Sequence, residues 1–296
     1  MTLQQLKYVI EIAKNGSISR ASEQLFLSQP SLSASLKDLE KEIGFQIFTR
    51  NNKGLAITSD GKEFLTYAKQ VILQYGLLED RYIVKKTIKK RFAVSTQHYS
   101  FAVKSFINMV NAFNLDEYEF CIRETKTHEI IDDVRFNRSE IGVLYLNDFN
   151  RRVLGRVFEE YDLEFVDLLN CSIYVYMAKN NPLAKNSIIE MSQLEDFPCL
   201  SFEQENAFYY AEEVFSTYEY KRLIKANDRA TMLNLMKGIN GYTFCSGIIS
   251  QELNGDEYVA IPLNSDEKML IGYIKKSQTE LSELAKSYIN EINNLI

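Results

Sequence analysis

Two stretches hold residues whose types and spacing could do chemistry. In "LSQPSLSASLK" the polar residues are Ser28, Gln29, Ser31, Ser33, Ser35 and Lys37, with Pro30 among them. Small hydroxyls and an amide near a helix N-terminus can approach a duplex closely, donating to phosphates and meeting base edges in the major groove. The helix dipole favours phosphate at the same end. In "STQHY" the hydroxyls of Ser95 and Thr96, the Gln97 amide and free backbone N–H groups beside His98 could grip a carboxylate or sulfate. Each stretch also has a plainer reading. The serines suit an ordinary solvated helix face, and Ser95 or Thr96 suits a helix N-cap.

The elements that must position the first stretch are legible. Leu6, Val9, Ile10 and Ala13 follow helical spacing from Leu3 to Asn15, and "NGS" ends that helix. Ser17 or Ser19 caps a second helix, whose buried side is expected to hold Ala21, Leu25 and Phe26. Ser28 is a good N-cap for a third helix, and Pro30 falls in its first turn, where a missing N–H costs little. Leu32, Leu36, Leu39 and Ile43 give that helix one apolar face, which leaves Gln29, Ser31, Ser33, Ser35, Lys37 and Asp38 away from it. This is a helix-turn-helix with a recognition helix. "FQIFTRNNKGLAITSDG" then reads as a strand, a tight turn at "NNKG" and a second strand, a wing that presents Arg50 and Lys53 to a nucleic-acid backbone.

Charge divides the 296-residue chain in the same place. Residues 1–89 hold 13 Lys+Arg against 9 Asp+Glu, and the remainder holds 21 against 31. A basic N-terminal part on an acidic body fits a nucleic-acid module joined to a second unit. The length itself points to two folding units. No run approaches 18 apolar residues and the N-terminus has no leader pattern, so a cytoplasmic protein without membrane contact is expected.

Enzyme chemistry finds little support. Cys121, Cys171, Cys199 and Cys245 are scattered and read as reduced core thiols, and His98 and His128 lack metal-ligand spacing. There is no phosphate loop, and around Ser246 the glycine positions of a nucleophile elbow are held by Phe244 and Ile248. No catalytic residue, metal or cofactor is expected.

Residues 1 to about 60 resemble the winged helix-turn-helix of the LysR-type transcriptional regulators. Ala21 and Leu25, Ser28-Gln29-Pro30-Ser31 with Ser33, Leu39-Glu40, Gly44, Phe48, Arg50, Thr58 and Gly61 carry the likeness. After it, Phe64, Ala68, Val71, Tyr75, Leu78 and Tyr82 form a heptad seam, widened by Leu65 and Ile72, on a helix expected to reach about Lys86. Such a seam must be buried by a neighbouring chain or by another part of its own chain. The resemblance implies the first, with paired linker helices making a homodimer or homotetramer on a double-stranded operator, and it implies RNA polymerase as a further partner.

From Arg91 strands and helices alternate: "RFAVSTQ", a helix from near His98, "EYEFCIRE", "KTHEIIDDVRFN", "EIGVLYL"; then "CSIYVYMA", "PCLSF", a helix from about Asn206, "KRLIKAN", "RATMLNLMKGI", "YTFCS"; finally "KMLIGYIKK" and a closing helix. The pattern argues an α/β unit with largely parallel strands. Two such halves imply a cleft whose ligand sits at strand carboxyl ends. Thr125, Ser201 and Phe202 occupy such ends and join Ser95, Thr96, Gln97 and His98 as effector candidates.

The resemblance implies a two-subdomain effector domain like a periplasmic binding protein. The expected plan is therefore a winged helix-turn-helix over 1–60, a linker and dimerisation helix over 61–89, and an effector domain over 90–296. Subdomain I covers about 90–165 and 267–296, and subdomain II about 166–266. "STQHY" is similar to regulators of sulfur and cysteine metabolism, which implies a small polar or anionic metabolite as effector. Closure on it would shift the DNA-binding pairs of a dimer of dimers. A small-molecule receptor or an enzyme with an accessory helix-turn-helix is the alternative.

Overall fold

Thr2 opens the first helix, α1 (Leu3–Asn15), through a reciprocal capping box with Gln5, and Gly16 ends it at φ 61°. The computed structural model describes residues 1–51, 54–82, 89–113, 115–204, 208–212, 214–215 and 218–296. It divides into two units, Met1–Ile88 and Lys89–Ile296.

In the first unit α2 (Ile18–Gln24) is capped by Ser17 and α3 (Gln29–Ile43) by Ser28, with Pro30 in the first turn of α3 and Gly44 closing it at φ 83°. Val9, Ile12, Ala21, Leu32, Leu36 and Leu39 form the core that these helices share with Ile47, Phe48 and Leu65. β1 (Phe48–Asn51) and β2 (Gly54–Ile57) pair antiparallel as the expected wing. Glu40 Oε1 accepts from the N–H groups of Ile47 at 2.7 Å and Phe48 at 3.2 Å, which ties α3 to the start of the wing.

Phe26 departs from expectation. The end of α2 is a Schellman turn, in which Leu27 N–H donates to the Ser22 carbonyl at 2.9 Å and Phe26 N–H to that of Glu23 at 3.2 Å. Phe26 takes the left-handed position at φ 53°, where glycine is usual, and its side chain is 96% exposed instead of buried. An L residue in that conformation costs roughly 1–2 kcal/mol.

α4 (Ser59–Tyr82) follows the wing. The expected seam is divided along it. Leu65 and Ala68 are buried within the unit, which packs α4 on α1, whereas Val71 and Leu78 are exposed together with Tyr67 and Leu73. The expected end of this helix, near Lys86, lies outside the described residues, as does Lys53.

The second unit holds two five-stranded sheets. Its elements run β3 (Lys90–Thr96), α5 (Ser100–Phe113), β4 (Tyr118–Glu124), α6 (Thr127–Arg135), β5 (Ile141–Leu146), α7 (Arg151–Glu160) and β6 (Leu163–Ser172). They continue as β7 (Tyr174–Ala178), β8 (Cys199–Phe202), β9 (Leu223–Ala226), α8 (Arg229–Ile239), β10 (Tyr242–Cys245), α9 (Gln251–Asn254), β11 (Tyr258–Pro262), β12 (Lys268–Lys276) and α10 (Glu283–Asn293). The sheet orders are β4-β3-β5-β12-β6 and β11-β7-β10-β8-β9.

Both sheets are mixed. β4, β3 and β5 are parallel, as are β9, β8 and β10, but β12, β6, β7 and β11 pair antiparallel. Each lobe is therefore three parallel strands extended by an antiparallel pair, less parallel than the alternation suggested. β6 pairs with β12 along its whole length, so the first crossover falls at Ile173 and the first lobe extends past the expected boundary near 165. The helix expected from near His98 begins at Ser100, and the one expected from about Asn206 starts outside the described residues, with a short 3-10 turn at Phe208–Tyr210. Among the described residues no helix is long and apolar enough to cross a membrane.

Candidate functional site

On α3 the apolar stripe turns inward and the polar positions turn out. Ser28, Gln29, Pro30, Ser31 and Lys37 are exposed and Ser33 is half-buried. Ser28 Oγ accepts from Ser31 N–H at 3.3 Å and shares a hydrogen bond with Ser31 Oγ at 2.8 Å. Gln29, Ser33 and Lys37 stand four residues apart and line one row of the helix. Arg50 lies on β1, opposite Leu55.

One cavity of the second unit, about 640 Å³ with its open mouth included, lies between the lobes. His98, Tyr99 and Ser100 enter from the first lobe, and Phe202, Glu212, Arg229, Met232, Met236, Phe244 and Asn254 from the second. The His98 ring stacks on Phe202 with centroids 3.8 Å apart and planes within 4°. His98 Nδ1 donates to the Glu212 carboxylate at 2.9 Å, and the His98 backbone N–H donates to it at 3.2 Å. Gln204 Nε2 donates to the other Glu212 oxygen at 2.6 Å while its Oε1 accepts from Thr127 N–H at 3.0 Å, which carries the network back to the first lobe.

A second clasp lies beside it. Arg229 Nη2 meets Glu124 Oε1 at 2.9 Å and Oε2 at 3.1 Å. Burial pushes the Glu124 carboxyl above the ordinary carboxylate range, and Arg229 and His98 offset only part of that. Asn254 Nδ2 donates to the Tyr176 hydroxyl at 3.1 Å, and burial lifts that phenol to about 12. The Cys245 thiol in the cavity wall is likewise pushed up to about 12, which leaves it protonated and a poor nucleophile at neutral pH. The arrangement suits binding: a polar rim of paired charges over a floor of methionine, phenylalanine and isoleucine side chains.

Of the effector candidates, His98 and Phe202 are brought together in the cavity wall, and the others lie off it. Ser95 Oγ donates to Asp133 Oδ2 at 2.5 Å and shares a bond with Ser139 Oγ at 2.8 Å, all buried. Thr96 Oγ1 donates to the Gln97 carbonyl at 2.8 Å. The Gln97 side chain accepts from Tyr145 N–H and the Tyr99 hydroxyl and donates to Thr127 Oγ1 at 2.7 Å. Thr125 Oγ1 bonds Glu129, and Ser201 Oγ donates to the Phe202 carbonyl at 3.3 Å. Sequence reasoning passed over Glu124, Glu212, Arg229 and Asn254. Glu124 and Arg229 carried a usable signal, because Glu124 ends β4 and Arg229 opens α8 directly after its N-cap Asp228.

Along the chain a winged helix-turn-helix is followed by a two-lobed unit with a ligand-sized cleft. Residues 3–62 match the family model described as "Bacterial regulatory helix-turn-helix protein, lysR family". That match places a helix-turn-helix of this description at the N-terminal end of the chain. It is 26% identical over 303 residues to the transcriptional dual regulator GltC of Bacillus subtilis, covering 97% of this chain and 95% of GltC. The match to BsdA of the same organism is 28% identical and covers 71% of this chain; for BsdA and for YvbU, another B. subtilis regulator, the chain spans less than two thirds of the relative, 60% and 65%. Full-length OxyR from Pseudomonas aeruginosa shares the fold at TM-score 0.60 and 20% identity, covering 99% of this chain and 94% of that one. CbnR in complex with its target DNA does so at 0.65 and 14%, with both chains fully covered.

Proposed function

We propose that this protein is a LysR-type, DNA-binding transcriptional regulator whose interlobe cavity takes a small effector. The row of exposed Gln29, half-buried Ser33 and exposed Lys37 beside the Ser28-capped N-terminus of α3 carries the reading, because it presents an amide, a hydroxyl and a cation at major-groove spacing. Arg50, on β1, and Lys53 are assigned contacts to the nucleic-acid backbone, and Ser28, Pro30 and Ser31 seat the helix end against phosphate. The relatives are regulators, and CbnR, of the same fold, was solved on its target DNA. The working form is a homodimer or homotetramer in the cytoplasm, acting on a two-fold operator and, through it, on RNA polymerase.

The effector is a small molecule with an anionic head and an apolar body. Arg229 and Asn254 favour the head, and Met232, Met236 and Phe244 favour the body. His98 and Phe202 form one wall; Ser95, Thr96, Gln97, Thr125 and Ser201 act behind it. With the Ser95 and Thr96 hydroxyls directed inward, the likeness to sulfur and cysteine regulators is not carried further.

Selection of bound fragments from random DNA, followed by salt-controlled binding, tests the head. Gln29→Ala or Ser33→Ala should cut discrimination between operator and random DNA, and Arg50→Ala should weaken both with a shallower salt dependence. Unchanged binding in all three would refute the assignment. For the cavity, a panel of hydrocarbon carboxylates should include one that alters operator binding by the wild type and not by Arg229→Gln.

A further inference from the structure

We infer that Phe26 is a DNA-contacting residue that reads a thymine methyl group at the edge of each operator half-site. The inference rests on the DNA-binding reading above and goes beyond the polar residues of α3.

Phe26 occupies the glycine position of a complete Schellman turn at φ 53°, and its ring is 96% exposed. A bulky side chain with positive φ is an outlier that the fold does not need, because Gly would make the same two turn hydrogen bonds without a Cβ. Its neighbours behave differently: Leu25 and Leu27 on either side are partly buried against the core of the first unit. The turn therefore anchors on both flanks and holds Phe26 outward. Strained and solvated, the ring gains nothing within its own domain, and its gain must come from a partner.

The position identifies that partner as DNA. Phe26 is two residues before the N-cap Ser28, and Gln29, Pro30 and Ser31, which open the helix after it, are exposed as it is. An aromatic ring next to a major-groove helix end has one apolar target on the base edges, the C5 methyl of thymine. The polar residues of α3 cannot read that group by hydrogen bonding, so Phe26 adds a preference that they do not supply.

The test uses the full chain and an operator recovered by selection, with thymines replaced one at a time by deoxyuridine, which lacks only the methyl. Wild-type protein should lose about fourfold in affinity at one thymine position per half-site, the effect of a single buried methyl group. Phe26→Gly and Phe26→Ala should bind the unmodified operator more weakly and show no further loss at that position. Phe26→Gly should also melt at a higher temperature than wild type, which separates a lost contact from a damaged fold. Variants that bind as tightly as wild type, or that keep the same deoxyuridine penalty, would overturn the contact while leaving the regulator reading intact. Wild-type protein that selects no DNA sequence would overturn both.

Discussion

Replacing Ser95 by Ala separates a ligand-gripping hydroxyl from a structural one. The Ser95 hydroxyl is fully buried and donates to Asp133, which is 6% exposed and takes Arg138 Nε on its other oxygen at 2.6 Å. Alanine leaves that buried carboxylate one donor short. A hydrogen bond to a charged group is worth about 1.5–3 kcal/mol. In a domain of this size each kcal/mol moves Tm by about 2–4 °C, so a fall of roughly 3–12 °C is expected. Thermal unfolding followed by circular dichroism reads the fall, and calorimetric titration well below the transition reads affinity for whichever carboxylate binds the wild type. Ser95→Ala should melt lower and bind that carboxylate unchanged. A variant with normal Tm and no ligand binding would put the hydroxyl on the ligand side and refute the reasoning.

Three further outcomes follow from the geometry. Burial raises the folded-state pKa of Glu124, so its contribution to stability is fully present below the ordinary carboxylate value near 4.5 and is lost as pH rises through the raised value; Glu124→Gln should flatten the Tm-against-pH curve across that window, and an unchanged curve would exclude Glu124 as the source. In Gly61→Ala the new Cβ would lie 2.2 Å from the Ile47 carbonyl oxygen, so the first unit should lose at least about 2 kcal/mol in denaturant unfolding, and a neutral result would mean that the wing can shift. Val71→Glu with Leu78→Glu, both on the exposed part of α4, should turn a dimer into monomers in sedimentation while the helix content stays the same; an intact dimer would move the interface elsewhere.

How much was legible in advance depended on local signals. α1, α8 and β12 run where they were expected because each carries a strong local signal: Thr2 and Gly16 bound α1, Asp228 and a left-handed Asn240 bound α8, and β12 sets Met269, Leu270, Ile271, Tyr273 and Ile274 between lysines, with Gly272 the one interruption. α7 went unrecognised because it has no side-chain cap bond and carries Gly155 mid-helix, so neither its end nor its interior announces it. β11 ends in Pro262, which weakens a strand signal. Phe26 was misplaced for a different reason. Helical periodicity assigns a face to every residue up to the last turn, but the backbone reverses hand at the Schellman position, and a side chain there leaves the face altogether.

Strand ends supply the effector candidates, and the structure divides these between the cavity wall and the interior. Residues 95–98, 124–125, 201–202 and 228–229 all lie where parallel strands finish, yet neighbours in a strand point to opposite sides, so a one-residue choice decides between cavity and interior. Phe202 faces the cavity while Ser201 bonds backward, Glu124 reaches Arg229 while Thr125 turns to Glu129, and His98 reaches Glu212 while Ser95 is fixed on Asp133. The strand ends alone do not say which charges meet across the lobes. Once they are seen to meet, the effector problem changes: an anionic head that approaches Arg229 competes with Glu124, and Glu124 belongs to the other lobe. A ligand that displaces that carboxylate removes one interlobe clasp while its apolar body fills the floor beneath. Its leverage on the regulator is the difference between those two effects, because only differential affinity for two lobe arrangements can shift them.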